Sequence, residues 1–439
     1  MELRDLVVTP IVIILVLTGA YVVRPYVTDN INRKYFFPAL LVKIVGAIAV
    51  GVIYQFYYQG GDTYNYHTHG SRIIWEAFTD SFESGARLLF FQEDIYKYSS
   101  RILFFGDDQS FFIVRFAAFL DLFTFSSYSS TAVLFSVISF VGSWMFFQTF
   151  YQQYPREHFN LAIASFFIPS VFFWGSGLLK DTVALAFLGI ATFQIYKLFI
   201  LKKIEVVSIT LLVISFFVVF SVKKFILQAY FPAAIIWVVA YRFFEIKSIV
   251  AKSLLVPISV VVVFVSAYYS VVKVGEGDRK YSIDKIAETA RITAYDIGFY
   301  TGRDAGSGYS LGELDGSFLG LLSKAPAAVN VTLFRPYLWE VKNPLMLISA
   351  MESAVLLIAL LVILIKKSGN LLDVLANPNI LFCLVFSLIF AFAVGVSTFN
   401  FGTLVRYKIP LLPFFVTALI LILAHSKRDR KLAEFEATE

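Results

Sequence analysis

The sequence predicts an all-α fold: a polytopic transmembrane helix bundle of about eleven spans, with amphipathic interfacial helices and two larger extracytoplasmic loops. Three observations predict it. Apolar residues make up 58% of the 439 positions and charged ones only 15%, a mix far from that of a water-soluble domain. The apolar residues gather into stretches of about 18 to 25, the length a helix needs to cross roughly 30 Å of hydrocarbon. Basic residues gather at alternate ends of these stretches, as they do in membrane proteins. The chain therefore reads as a single transmembrane domain, 1–439, and not as two or three soluble ones.

The expected spans are 6–23, 36–57, 127–150, 159–176, 181–200, 205–221, 224–242, 249–273, 344–365, 379–398 and 408–424. The first lacks the small-residue cleavage site of a signal peptide and follows the acidic Glu2 and Asp5, so it is expected to stay as a helix. Between the spans lie two long loops, 58–126 and 274–343. No matching pair of broken helices marks two halves of the chain, as an inverted-repeat transporter would require. The 48 Phe and 24 Tyr suit lipid contact and the headgroup region without naming a ligand. A single cysteine excludes an internal disulfide.

Orientation follows from the basic residues. One set of connections holds about sixteen, including Arg24, Arg33, Lys34, Lys202, Lys203, Lys247, Lys252 and the tail Lys427 to Lys431. The other set holds about six in its short loops: Arg4, Lys180, Lys223, Lys224, Arg406 and Lys408. The richer side is expected to be cytoplasmic, which puts the N-terminus and both long loops outside and the C-terminus inside. The formal charge of +6 then needs no nucleic-acid partner.

Charge inside a span costs about 2.5 to 3.5 kcal/mol at a helix centre, so polar clusters near the outer surface are the candidates for chemistry. The first is Gly60-Gly61-Asp62-Thr63-Tyr64-Asn65-Tyr66-His67-Thr68-His69. Two glycines end the helix and present an acid among aromatic and hydrogen-bonding side chains. Asp62 can serve as a general base or simply cap the helix that follows. That helix is expected to be amphipathic, with Ile73, Ile74, Ala77 and Phe78 on one side. A second such stretch runs from Phe111 to Phe123 and carries Arg115 and Asp121.

The second cluster is the turn Trp174-Gly175-Ser176-Gly177-Leu178-Leu179-Lys180-Asp181. Its glycines allow the turn, Asp181 can start the next helix, and Lys180 can bind a phosphate or snorkel to the surface. An intramembrane serine–histidine dyad is not expected, since no histidine falls within a span. Third come Lys223, Lys224, Arg406 and Lys408, cations on the side where cations are scarce. A phosphate headgroup would be one partner for them, and anionic lipid another. Fourth are Arg335, in Phe334-Arg335-Pro336-Tyr337-Leu338-Trp339-Glu340, and Glu352, about 12 Å into its span at 1.5 Å per residue. Glu352 is expected either to line a cavity or to pair with a neighbouring helix.

The Asp62 segment, the amphipathic helices behind it, the Trp174 to Asp181 turn and the Val405-Arg406-Tyr407-Lys408-Ile409-Pro410 approach to the last span together resemble the C superfamily of membrane glycosyltransferases. They are also similar to the related Wzy and EpsG-type exopolysaccharide polymerase proteins. The resemblance implies an enzyme that takes a sugar from a polyprenyl-phosphate or polyprenyl-diphosphate carrier and transfers it to a hydroxyl acceptor outside a bacterial inner membrane. It matches Asp62 to the catalytic base and Arg406 to the donor-phosphate contact. Lys180, Lys223, Lys224 and Arg335 are physical candidates for the phosphate, with Tyr64, Tyr66, His67, His69, Trp174 and Glu352 lining the groove. Asp62 has no adjacent second acid, which leaves a Mg or Mn cofactor open; His67 and His69 are its candidate helpers. A lipid-linked glycan flippase and a structural envelope subunit remain alternatives.

Overall fold

The computed structural model describes residues 2–246, 265, 283–300, 307–366 and 376–436. The expected span 249–273 lies outside the described residues apart from Val265. Seven described helices are long and apolar enough to cross a membrane, or eight if Phe401–Tyr407 and Leu412–His425, which meet at 67°, form one bent span. The seven are Leu3–Val27, Arg33–Phe56, Tyr128–Tyr151, Lys180–Ile200, Val206–Phe243, Pro344–Ile365 and Pro378–Thr398.

Two of these differences from the expected eleven have a physical origin. The helix Val206–Glu245 has 40 residues, about 60 Å if straight and twice the hydrocarbon thickness. It is not straight. Lys223 leaves helical geometry with φ −151° and ψ 83°, and the Phe216 and Phe231 rings on either side of it meet at 4.8 Å. Both ends are tied to one short stretch, through Lys197 with Glu205 and through Arg242 with the Phe199 carbonyl. The chain thus folds back at Lys223, where 205–221 and 224–242 are expected to part.

The second difference is the expected span 159–176, which is broken. His158–Ala162 runs into a π-helical turn, Ile163–Phe167; Ile168 is extended, and a new helix, Pro169–Trp174, follows. Irregular backbone at membrane depth survives only where other groups satisfy it. Here Glu352 accepts from the Ser170 amide at 2.8 Å and its hydroxyl at 2.7 Å, serving the amino end of Pro169–Trp174. Lys43, fully buried, serves the other end by donating to the carbonyls of Val171 at 3.4 Å and Gly175 at 3.2 Å. Ser139 also donates to Gly175, and Thr182 to Gly177 at 2.6 Å.

Around this break the helices pack tightly. A Cβ added at Gly142 would overlap the backbone of Ala186, so Tyr128–Tyr151 and Lys180–Ile195 cross backbone to backbone. Trp237 stacks on Phe382 at 4.3 Å and donates Nε1–H to Asn379 at 2.9 Å. The first long loop folds over one end of the bundle, and the N-terminus joins it there through Arg72 and Glu2 at 2.6 Å. As the periodicity predicts, Ile73, Ile74 and Ala77 are buried. The helix Asp108–Thr124 buries Phe111, Val114 and Ala118 and also Asp121, which accepts from Ser71 at 2.6 Å and Thr131 at 2.5 Å.

Candidate functional site

Four chain segments converge at the loop end of the bundle. Gly60 and Gly61 take φ values of 134° and 119°, a region that suits glycine, and turn the chain away from the Arg33–Phe56 helix. The short helix Asp62–Tyr66 starts there, with Gly61 at the capping position and Asp62 as its first residue. The carboxylate of Asp62 turns to Arg406, whose Nη2 lies 2.9 Å from Oδ2. Arg406 is carried by Phe401–Tyr407, a helix capped by Asn400, which accepts from the Gly402 amide at 2.8 Å.

The same Nη2 lies 3.5 Å from Oδ2 of Asp181, at the start of the helix after the broken segment. The other oxygen of Asp181 is held by Lys223 at the fold-back turn. Arg406 also donates through Nη1 to the Tyr54 hydroxyl at 2.9 Å and lies over the Trp174 ring at 5.8 Å. Lys223 sits 3.8 Å from the centre of the Tyr407 ring. Two acids and two cations thus form one cluster of zero formal charge, half roofed by aromatic rings. Asp181 is 1% exposed, whereas Asp62 is 43% exposed.

Beside this cluster opens a cavity of about 350 Å³. Trp174 and Val405 connect it to the Arg406 site, Phe172, Phe173 and Met346 give it apolar walls, and Glu352 supplies its carboxylate. Lys408, two residues after Arg406, is fully buried and donates to Ser353 at 3.1 Å, so Arg406 and Lys408 serve different places.

The remaining candidates divide. Lys180 lies 3.8 Å from Asp107. Burial raises the pKa of Asp107, but the Ser110 hydrogen bonds and the Lys180 charge outweigh it and hold the carboxyl below its ordinary value. Lys224 is half-buried over the Phe220 ring. Arg335 is bound at both Nε and Nη2 by Glu340 and lies over Phe401, a cavity residue, at 5.3 Å. Tyr64 stacks on Tyr128 at 4.4 Å, and Tyr66 is buried against Phe104. Burial first, and the nearby Asp62 charge next, push the Tyr66 hydroxyl well above its ordinary range.

The two histidines diverge. His67 is buried 3.6 Å from Asp121, whereas His69 is exposed. Among the described residues no three His, Cys, Asp or Glu side chains gather as a metal site. Asp62 and Asp181 already face Arg406 and Lys223, so in this arrangement their donor set does not fit a divalent ion.

Sequence reasoning misses two members and one support. Asp181 reads as a helix start, and Tyr54 goes unmarked, as does Lys43, which holds the broken helix beside the site. A lone lysine ten residues into the Arg33–Phe56 helix carries the same signal that singles out Glu352. Compared with protein-family models, curated proteins and solved structures, the chain matches none.

Proposed function

We propose that this protein is a membrane glycosyltransferase that moves a sugar from a polyprenyl-phosphate or polyprenyl-diphosphate carrier to a hydroxyl acceptor at the loop face of the bundle. One observation carries the reading: the first-loop acid Asp62 and the last-span base Arg406 meet at 2.9 Å. A second supports it. Among the described residues, the buried Nε of Arg406 has no hydrogen-bond partner, as is also true of Arg24, Arg72 and Arg115, and a buried donor left open costs about 1–3 kcal/mol. A phosphate oxygen would supply the acceptor.

In this reading Arg406 and Lys223 stabilise the lipid phosphate as it leaves. The acceptor oxygen bonds to the anomeric carbon as the bond from that carbon to the phosphate oxygen breaks, and Asp62 takes the hydroxyl proton. Trp174 stands between the phosphate position and the cavity, whose apolar walls suit the first carbons of the carrier. In this reading the loop face, opposite the side richer in basic residues, is the outer one, and the membrane is a bacterial inner membrane.

The test is transfer from a labelled polyprenyl-phosphate sugar in membranes carrying wild type or Asp62→Ala. Product from wild type alone is expected. Equal turnover by purified, folded Asp62→Ala would remove Asp62 from the chemistry.

A further inference from the structure

Arg406 holds two carboxylates that are not equivalent. Asp181 is 1% exposed and shared between Lys223 and Arg406, so its departure would strand buried charge. Asp62 is 43% exposed and has Arg406 as its one ion-pair partner among the described residues. It directly follows Gly60 and Gly61; a Cβ placed at Gly60 would meet open space, whereas one at Gly61 would press on the Tyr54 ring at 2.9 Å, so the room to turn lies at Gly60.

Guanidinium binds carboxylate and phosphate through the same fork of N–H donors. The Asp62 carboxylate engages Nη2 and leaves Nε open, whereas a phosphate can take Nε and Nη2 side by side. We propose that Asp62 is a latch: without ligand it occupies the phosphate position on Arg406, and an incoming phosphate ester or diphosphate displaces it. The exchange frees the carboxylate when the donor arrives, so the base is held back from activating water in an empty site. The displaced acid moves by rotation at Gly60, while Asp181 keeps Arg406 in place. This inference rests on the reading of Arg406 as a phosphate site.

The test is calorimetric titration of the full chain in detergent with inorganic phosphate, pyrophosphate and farnesyl phosphate. Asp62→Asn keeps the side-chain shape and removes the charge, and it is expected to bind at least one of these about tenfold tighter than wild type. A gain for farnesyl phosphate alone assigns the site to lipid-linked phosphate; a gain for the inorganic anions as well assigns it to phosphate of either source. Equal affinity in wild type and Asp62→Asn overturns the latch and leaves the phosphate site standing. No binding to either protein, or binding that survives Arg406→Gln, overturns both. Hydrogen exchange in wild type is a second measure that needs no variant: the amides of residues 60–66 are expected to exchange faster once ligand is added, and unchanged exchange overturns the latch.

Discussion

Arg406 Nη2 and Asp62 Oδ2 stand 2.9 Å apart although 344 positions separate them in the chain, and Asp181 reaches the same nitrogen at 3.5 Å. One guanidinium therefore serves two acids and, through Nη1, the Tyr54 hydroxyl. A lysine ammonium is a point charge on a flexible stem and cannot keep all three in one plane. Arg406→Lys is expected to lower kcat/KM for transfer by about a hundredfold in a protein that still folds. Turnover within threefold of wild type would assign Arg406 no more than a charge.

The Lys223–Asp181 pair is buried on both sides, at 6% and 1% side-chain exposure. Removing one partner of an isolated buried pair costs about 3–5 kcal/mol, but here Arg406 still faces Asp181 at 3.5 Å when Lys223 is gone. Lys223→Met is expected to lower stability by only part of that amount in reversible unfolding, and Asp181→Leu, which leaves Lys223 without its acid and Arg406 with one of its two, to lower it by more. A Lys223→Met loss as large as that of Asp181→Leu would mean that Arg406 does not compensate Asp181.

Lys43 and Glu352 hold opposite ends of the Pro169–Trp174 helix. Lys43→Met leaves buried carbonyls with fewer donors and is expected to cost about 1–3 kcal/mol. Glu352→Gln keeps one acceptor oxygen and is expected to cost less than Glu352→Leu. Denaturation midpoints of the three variants check the order.

The Arg335–Glu340 pin predicts an acid response. Burial raises the Glu340 pKa, but the Arg335 and Tyr337 hydrogen bonds outweigh it and bring the carboxyl below 4.5. A depressed folded value means the stabilisation is present above the unfolded pKa and is lost as pH falls through the folded one. Proteolysis around residues 334–341 is expected to stay constant from about pH 7 down to about pH 5 and to rise below about pH 4. In Glu340→Gln it should be raised at every pH; a wild-type rise already at pH 6 would contradict the pin.

The donor set predicts how the site treats metal. Asp62 and Asp181 are compensated by Arg406 and Lys223, so transfer is expected to be unchanged by EDTA. Loss of turnover restored by Mg or Mn would show that the carboxylates release their cations in the working state.

The positions of the long helices were legible because hydrocarbon thickness and a 1.5 Å rise leave little freedom in span length. Lys223 and Arg406 also stood out, as cations on the side where cations are scarce. The break at Ile168 went unread although Pro169 marks it, because a residue before proline is pushed to extended backbone; the groups that stabilise the break, Lys43 and Glu352, come from distant helices and could not be read. Asp181 was hidden for a related reason. An acid at a helix start has an ordinary local explanation, and its place in the cluster emerges only when the chain folds back and returns Lys223 to it.

That fold-back also bears on how the chain is made. A lysine crossing hydrocarbon alone meets a steep barrier, and Lys223 lies at the tip of a hairpin on the loop face, next to Lys224. Asp181 lies 42 positions earlier, on a helix that leaves the ribosome first. The counter-charge is thus made before the lysine that needs it, and the order of synthesis matches the order in which the two charges need each other.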